Sequence, residues 1–251
     1  MLVATETKVY TWQTHSEDDP KLIYEHEAIG AVSECPVMDV VLLKNGDLAI
    51  VCETESRHLH TGINSPATCL FVISEDPFEV LIGTEEAHLF RMSGYDRAAV
   101  RLQTFEQLEC RRNWHTPWGG PPAVRSLAGT GDGWIYAAIH VGSIMRSPDR
   151  GKTWEPVSPD LNEDVHQVAV CPASNEHVYA NTARGVYVSA DRGNSWAHRA
   201  WGLDSHYGRA IAVHPGNPEC ILATVSDGPH GDNVHGRLFR TADGGITWSH
   251  V

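Results

Sequence analysis

The apolar residues of this chain fall into short runs that are separated by polar turns. Runs of about four to seven residues alternate with clusters of Gly, Pro, Asn and Asp, a pattern typical of β-strands joined by hairpins. Asn45-Gly46, between two apolar runs, is the strongest short-range hairpin signal. Helical periodicity is nowhere sustained over about 11 residues. The pattern therefore predicts an all-β protein.

A motif of the form Ser/Thr-x-Asp-x-Gly-x-Thr/Ser-Trp occurs three times. Its copies cover residues 147–154, 189–196 and 241–248, and each follows a short apolar run that begins with glycine. The tryptophans of successive copies are about 42 and about 52 residues apart, a spacing typical of four-stranded propeller blades. The Asp can accept hydrogen bonds from backbone N–H groups of a turn, and the Gly permits a positive φ. The motif therefore predicts a hairpin turn whose Trp packs between neighbouring units.

Turn residues divide the chain into units of about four strands. The N-terminal unit has only three strand candidates, at residues 2–5, 9–13 and 22–25, and lacks its first strand. Segment 104–122, rich in Pro and Gly, is predicted to be a loop. The other strand candidates are 37–43, 47–52, 67–73, 79–83, 88–92, 99–103, 123–128, 134–139, 143–147, 153–157, 165–171, 177–181, 185–189, 195–199, 208–214, 220–225, 237–241 and 247–251.

These units predict a single β-propeller domain over residues 1–251. Six blades of antiparallel strands are favoured, and the three-stranded N-terminal unit counts as one of them. Beyond Ser249 and His250 there is no apolar run that would join the last blade to the first. Seven blades are therefore expected if the sequence is truncated at its C-terminus.

The composition of the chain indicates which kinds of binding partner and which cellular location are expected. The net charge of −13, with His neutral, disfavours nucleic acid and an anionic membrane surface as partners. The N-terminus has neither the basic nor the apolar region of a signal peptide, and no apolar run approaches ~18 residues. The six cysteines are scattered without a CxxC pair, so we interpret them as free, buried thiols. These features favour a cytoplasmic, reducing location.

The three motifs resemble the BNR or Asp-box repeat of sialidases, sortilin-type receptor propellers and photosystem assembly factors. The likeness covers residues 123–251 well and residues 1–104 only by strand pattern. The chain is most similar to WD40/YVTN/BNR-like bacterial proteins that carry the label exo-alpha-sialidase. The resemblance implies a β-propeller but no activity, because the box is a turn on the outer side of each blade. The Phe/Tyr-Arg-Ile-Pro motif of working sialidases is not found, so true sialidase chemistry is not expected.

Binding sites of propellers lie in the loops that follow the second and fourth strands of each blade. Three consecutive units of this chain place His, Arg, acidic and aromatic residues in those loops or at the start of the strand that follows. The candidates for catalysis are His140, His166, Tyr207 and Arg209, and the candidates for substrate binding are His115, Trp118, Arg125, Asp164, Asp227 and His230.

These residue types permit several kinds of chemistry. Histidine near carboxylates suits acid–base catalysis near neutral pH, and Arg125 and Arg209 can bind a carboxylate or phosphate in bidentate fashion. A Tyr207 with a depressed pKa would act as acid, base or nucleophile, and the tryptophans would stack on a sugar ring. Alternatively, the histidines with Asp164 or Asp227 would hold a divalent metal that activates water.

Two functions follow as alternatives. The first is a glycosidase-like hydrolase that acts on a carbohydrate or another small polar ligand in the axial mouth. It requires the four catalytic candidates to lie within about 15 Å of one another, so that they can reach one ligand. The second is a non-catalytic propeller scaffold that binds a protein partner through its loop face, as the aromatic-rich loop 111–122 suggests. Metal binding without turnover is a third, smaller option.

Overall fold

A computed structural model of the chain describes residues 1–12, 18–52, 55–231 and 233–251. The strands of these residues lie in six antiparallel sheets, five with four strands and one with three. Such a set of sheets, with very little helix, is that of a six-bladed β-propeller. The predicted all-β propeller fold is therefore confirmed.

Residues 1–103 form one compact unit of three sheets. Its core is built from apolar side chains of the central strands, such as Leu42 and Ile82, which are fully buried. The strands are β1 (Leu2–Ala4), β2 (Lys8–Thr11) and β3 (Lys21–Glu25); β4 (Ile29–Glu34), β5 (Asp39–Leu43), β6 (Leu48–Val51) and β7 (Ser56–Leu59); and β8 (Ala67–Glu75), β9 (Phe78–Thr84), β10 (Leu89–Ser93) and β11 (Val100–Arg101).

Residues 104–251 form a second compact unit, also of three sheets. The short helix α1 (Gln103–Glu106) spans the division, and a 3-10 helix (Glu109–Asn113) follows it. The strands are β12 (Val124–Gly129), β13 (Ile135–Ile139), β14 (Ser143–Ser147) and β15 (Glu155–Pro156); β16 (Val165–Cys171), β17 (Ser174–Thr182), β18 (Gly185–Ser189) and β19 (Ala197–His198); and β20 (Tyr207–Val213), β21 (Ile221–Ser226), β22 (Arg237–Thr241) and β23 (Ser249–His250).

The strand predictions are wrong in a few places. Strands β4 and β7 are not among the predicted strands, because Gly30 and Ser33 interrupt the apolar pattern of β4 and β7 is polar apart from Leu59. The outer strands β15, β19 and β23 are shorter than expected, since the first residues of each predicted run belong to the preceding turn. The predicted loop 104–122 begins with helical turns. Gln13, the end of a predicted strand, and residues 16–17 of the following turn lie outside the described residues.

The three Asp-box motifs form the predicted turns. In the second copy, Asp191 Oδ1 accepts hydrogen bonds from Ser189 Oγ at 2.8 Å and from the Ser195 N–H at 2.9 Å. The other carboxylate oxygen accepts a hydrogen bond from Ser195 Oγ at 2.6 Å. Asp149 and Asp243 make the same set of bonds in the first and third copies. Each carboxylate thus replaces the backbone acceptors that the turn lacks.

All three tryptophans that end the motifs are buried, and those of the second and third copies pack between neighbouring sheets, as predicted. Trp196 packs in one apolar cluster with Val157 and Leu161, which precede its own sheet. Trp248 packs in the next cluster with Leu203 and Val186. Burial of large aromatic side chains at these positions joins one sheet of the unit to the next.

All six cysteines are free. Cys69 and Cys171 are buried, as predicted, whereas Cys52 is exposed because it lies just beyond the end of β6. Within the described ranges, none of the helices has the length and hydropathy needed to cross a bilayer. The cytoplasmic location stays a prediction.

Candidate functional site

Polar residues from all three sheets of the second unit meet at one place, which we call the polar cluster. Its members are Arg125 on β12, His140 after β13, Asp164 before β16, His166 on β16, and Tyr207 and Arg209 on β20. The structure therefore brings the four predicted catalytic residues together with two of the predicted binding residues. Neighbouring members are joined by contacts of about 3–5 Å.

In each sheet of the second unit, a β-bulge near the start of the first strand sets the direction of one side chain of the polar cluster. The register of β12 shifts at Arg125, that of β16 shifts at His166, and that of β20 shifts over Arg209. A bulge adds one residue to a strand, bends it locally and redirects a side chain. In the first unit, the corresponding bulges carry Gly30 and Thr68. The second unit thus presents cationic and imidazole groups at a repeated structural position.

The contact between Arg125 and His140 fixes the state of this histidine. Arg125 Nη2 lies 2.7 Å from His140 Nε2. A guanidinium group can only donate, so His140 Nε2 accepts, and the neutral ring carries its proton on Nδ1. Burial, and then the charge of Arg125, lower the pKa of His140 to about 4. His140 is therefore neutral near pH 7, and its basic nitrogen is already occupied.

Asp164 and His166 form a second close pair, next to the contact between Arg125 and His140. Asp164 Oδ1 is 3.3 Å from His166 Nε2 and 3.9 Å from His140 Nε2. His166 Nδ1 contacts the carbonyl oxygen of Gly208, which can only accept, so Nδ1 carries a proton. Burial acts to raise the pKa of Asp164, but His166, Arg125 and His140 together lower it below its usual range. Asp164 is therefore ionised near neutral pH.

Tyr207 lies between His166 and Arg209. The rings of Tyr207 and His166 are 4.7 Å apart between centroids, and Arg209 Cζ is 5.0 Å from the Tyr207 centroid. Burial and the nearby charge of Asp164 raise the pKa of Tyr207, although Arg209 and Arg125 oppose this. The prediction of a depressed pKa for Tyr207 is therefore wrong, and this side chain remains a neutral phenol near pH 7.

Aromatic side chains border the polar cluster on the side of the loop between the 3-10 helix and β12. Trp118 is 61% exposed, and its ring lies 5.1 Å from that of His140 and 6.1 Å from that of His230. His115 is exposed, and its Nδ1 lies 3.0 Å from the carbonyl oxygen of Asn113, the last residue of the 3-10 helix. Trp118 thus contacts the cluster through His140, and His230 contacts Trp118, whereas the His115 ring bonds to the neighbouring backbone.

Asp227 takes part in a different network. Its Oδ1 accepts hydrogen bonds from Ser205 Oγ at 2.9 Å and from Arg237 Nη1 at 3.1 Å. Its Oδ2 is 2.8 Å from His235 Nδ1. Hydrogen bonds from His235, Arg237 and Ser205 lower the pKa of Asp227 to about 2. Asp227 therefore anchors the loop between β21 and β22, and the structure does not bring it into the polar cluster; Asp232 of that loop lies outside the described residues.

Asn181 is a residue of this site that the sequence analysis missed. It is fully buried, and its Nδ2 donates hydrogen bonds to the carbonyl oxygens of Ala210 at 2.9 Å and Thr224 at 3.0 Å. A Cβ atom on Gly208 would lie 1.7 Å from Asn181 Oδ1. Asn181 and Gly208 together fix the bulge that positions Tyr207 and its neighbours. A glycine inside an apolar strand pattern was the available signal.

The polar cluster does not suit a metal ion. Among the described residues, no group of three or more His, Cys, Asp and Glu side chains is arranged to hold one. Within the cluster, the guanidinium group of Arg125 occupies the Nε2 lone pair that His140 would offer to a metal. Its positive charge would also repel a cation. The expected alternative of a divalent metal therefore has no support at this place.

The chain is similar to several propellers. A family model described as "Sortilin, neurotensin receptor 3," an Asp-box propeller family, matches residues 142–251. An ancestral GH74 enzyme has a TM-score of 0.70 at 18% identity, over 89% of this chain and 31% of that enzyme. YCF48 bound to D1 peptide has a TM-score of 0.65 at 12% identity, over 99% of this chain and 75% of that protein. The GH74 enzyme of Niastella koreensis has a TM-score of 0.60 at 11% identity, over 88% of this chain and 36% of the enzyme.

These likenesses confirm the expected relation to Asp-box and WD40-like propellers at the level of fold. At such low identities they show the fold alone. This chain spans about a third of the length of the ancestral GH74 enzyme. No curated protein matches the sequence.

Proposed function

We propose that the polar cluster binds an acidic segment of a protein partner, and that the chain is a binding propeller. The observation that carries this proposal is the 2.7 Å contact between Arg125 Nη2 and His140 Nε2. It keeps the histidine neutral, so that the cluster contains two guanidinium cations, of Arg125 and Arg209, and one carboxylate, of Asp164. This local excess of positive charge lies in a protein whose net charge is −13.

The two arginines differ in a way that suits recognition of a carboxylate. Burial lowers the pKa of Arg125, although Asp164 offsets part of this effect. A desolvated cation of this kind gains from a second anionic partner. Arg209 is exposed, and it donates one hydrogen bond to the carbonyl oxygen of Pro229. A guanidinium group has five N–H donors, so Arg209 can also bind a carboxylate from the solvent side.

Exposed aromatic rings supply the apolar part of such a surface. Trp118 borders the cluster and is 61% exposed. Tyr207 is half-buried between His166 and Arg209. Trp, Tyr and Arg are the residue types that contribute most to protein–protein binding energy. One of the similar propellers, YCF48, is bound to a peptide, the D1 peptide, which supports peptide binding as a use of this fold.

A glycosidase-like hydrolase is the second candidate. The observation that favours it is the Asp164–His166 pair, in which His166 Nδ1 donates to the Gly208 carbonyl and Nε2 lies 3.3 Å from Asp164 Oδ1. The similarity to GH74 enzymes is compatible with it but extends only to the fold. Against it, Tyr207 is held as a neutral phenol, and the Nε2 atom of His140 is occupied by Arg125. His166 itself has only 3% of its side chain exposed.

The test uses peptides immobilised through their N-termini, each with a tryptophan followed at varied spacing by glutamate or by glutamine. The wild-type protein should bind the glutamate peptides at least about tenfold more tightly than their glutamine counterparts, as expected for a charge-assisted contact. Arg125→Gln and Arg209→Gln should each remove that preference. Arg240→Gln is the matched control, because Arg240 is an exposed arginine on β22 of the same unit.

Equal binding of glutamate and glutamine peptides by the wild-type protein would contradict the proposal. A panel of glycoside and ester substrates tests the second candidate in parallel. Turnover that disappears in Asp164→Asn, but persists in Arg240→Gln, would establish the hydrolase instead.

A further inference from the structure

A cavity of about 380 Å³ lies between the sheet of β16–β19 and the sheet of β20–β23. One side is formed by β18, β19 and the second Asp-box, and the other by the turn before β21 and the third Asp-box. Its apolar walls include Val188, Ala197, Pro218 and Ile246, and none of the described residues that line it belongs to the polar cluster. A cavity of this volume, with apolar walls and a few polar groups, is typical of a site for a small molecule.

Arg199, which lines this cavity just after β19, has a buried hydrogen-bond donor without an acceptor. Among the described residues, none accepts a hydrogen bond from its Nε atom, which is shielded from solvent. The backbone of this residue is held in place, because its carbonyl oxygen accepts a hydrogen bond from Trp248 Nε1 at 2.9 Å. A buried donor that lacks a partner costs free energy, and a charged acceptor in the cavity would recover it. The Arg199 side chain therefore favours a ligand that carries a carboxylate.

Glu219 supplies an opposite charge at the same cavity. Its side chain is exposed, and it lines the cavity together with Arg199. Other arginines of this unit contact a carboxylate at 2.8–3.2 Å, as Arg146, Arg192 and Arg237 do. Within the described ranges, neither Arg199 nor Glu219 forms an ion pair. One cation and one anion thus line the cavity without contacting each other, and both can bind a ligand.

The charges around the cavity disfavour a ligand that is only an anion. The Asp243 carboxylate also lines it, and its oxygens already accept hydrogen bonds from Thr241 and Thr247. Two carboxylates against one guanidinium group would repel phosphate or a dicarboxylate. A ligand with a carboxylate and an ammonium group on one carbon atom satisfies both Arg199 and Glu219 and carries no net charge.

We propose that this cavity binds a free α-amino acid with an apolar side chain. The carboxylate of the amino acid accepts hydrogen bonds from Arg199, and its ammonium group donates to Glu219. Its side chain lies against Val188 and Ile246, where burial of apolar area adds to the binding energy. This site is separate from the polar cluster and does not depend on the function proposed for that cluster.

Isothermal titration calorimetry with L-leucine, L-methionine and L-phenylalanine tests the proposal. At least one of the three should bind saturably, with a Kd of about 1 mM or lower. The amide of that amino acid lacks the carboxylate, and its N-acetyl derivative lacks the ammonium group. Each derivative should bind at least about tenfold more weakly, because each loses one charge-assisted contact.

Two variants remove one charge each from the cavity. Arg199→Gln and Glu219→Gln should both weaken binding at least about tenfold. Arg240→Gln and Glu163→Gln are the matched controls, since both residues are exposed, belong to the same unit and lie outside the cavity. Both controls should bind within about twofold of the wild-type protein.

A third variant leaves the charges in place. Ala190→Phe puts a larger side chain into the cavity and should abolish binding. We expect the turn to accept this change, because the corresponding position of the first Asp-box is Pro148. Ala190→Phe therefore tests the site even if Arg199→Gln does not fold.

The absence of saturable binding for all three amino acids overturns the proposal, and so does equal binding of an amino acid and its two derivatives. Unchanged affinity in folded Arg199→Gln, Glu219→Gln or Ala190→Phe would place the amino acid elsewhere and would overturn it as well. The glutamate peptides that test the polar cluster should bind Arg199→Gln as tightly as the wild-type protein. Loss of peptide binding in Arg125→Gln, with amino-acid binding kept, separates the two proposals.

Discussion

Arg125, which contacts His140, controls the protonation of that histidine. Arg125 donates to its Nε2 atom at 2.7 Å, and burial together with this charge lowers the pKa of His140 to about 4. We predict that Arg125→Gln raises the pKa of His140 towards that of an ordinary histidine, because the positive charge is lost. NMR titration of the imidazole signals checks this, and Arg240→Gln should leave the His140 titration unchanged. An unchanged pKa in Arg125→Gln would show that Arg125 does not control this proton.

The lowered pKa of His140 also predicts how the free energy of unfolding depends on pH. The unfolded chain protonates His140 near pH 6.5, whereas the folded protein protonates it only near pH 4. Between these values the unfolded state binds more protons, so the free energy of unfolding falls as the pH is lowered from about 6.5 to about 4. The loss from His140 is on the order of 2–3 kcal/mol. Urea unfolding at pH 7 and pH 5 should show a smaller difference in His140→Gln than in the wild-type protein.

Gly208 has no room for a side chain. A Cβ atom there would lie 1.7 Å from Asn181 Oδ1, and Asn181 is held by Ala210 and Thr224 on neighbouring strands. We predict that Gly208→Ala lowers the free energy of unfolding by about 2–4 kcal/mol, since the buried amide cannot move without losing hydrogen bonds. Gly236→Ala, where a Cβ meets nothing within 4 Å, is the control for denaturant unfolding. Equal stability of the two variants would contradict the positioning role of Asn181.

The sequence predicted the members of the polar cluster better than their chemistry. The Asp-box register placed His140 and Tyr207 in loops and His166 at the start of a first strand, and the fold brings these three residues together. It could not predict the pKa of Tyr207, because burial and the approach of Asp164 depend on tertiary contacts. It also missed Asn181, whose partners come from two other strands. Repeats reveal position along a blade, whereas protonation depends on neighbours that are distant in sequence.

At the scale of the element, the Asp-box turn is a defined source of stability. Asp191 accepts three hydrogen bonds within its turn, from Ser189 and Ser195. We predict that Asp191→Ala costs about 2–4 kcal/mol of unfolding free energy, because charge-assisted bonds are lost and two hydroxyl groups lose their acceptor. The control is Asp204→Ala, which removes an exposed ion pair with Arg237 and should cost less than about 1 kcal/mol. Thermal and urea unfolding check both values, and similar costs would show that the box carboxylate contributes no more than a surface charge.

The β-bulges could not be predicted from the alternating apolar pattern of the strands. The sequence predicted first strands at 165–171 and 208–214, close to β16 and β20. An alternating pattern assigns side chains to two faces, but a bulge adds one residue and changes that assignment at Arg125, His166 and Arg209. Strand existence was therefore predictable, while the direction of these three side chains was not.

At the scale of the whole molecule, the chain divides into two compact units, residues 1–103 and 104–251, each with buried apolar clusters of its own. The interpretation of residues 1–251 as one domain remains a prediction, and it has a calorimetric consequence. One cooperative domain unfolds in a single transition, with equal calorimetric and van't Hoff enthalpies. Asp191→Ala, which lies in the second unit, would then lower the melting temperature of the entire transition.

Two independent domains would behave differently in the same experiment. The wild-type protein would show two transitions, or one whose van't Hoff enthalpy is below the calorimetric value. Asp191→Ala would move only the transition of residues 104–251, and Asp204→Ala would move neither by much. Near-ultraviolet circular dichroism assigns the transitions, since the box tryptophans Trp154, Trp196 and Trp248 all belong to the second unit. A transition that Asp191→Ala leaves in place would contradict the single-domain prediction.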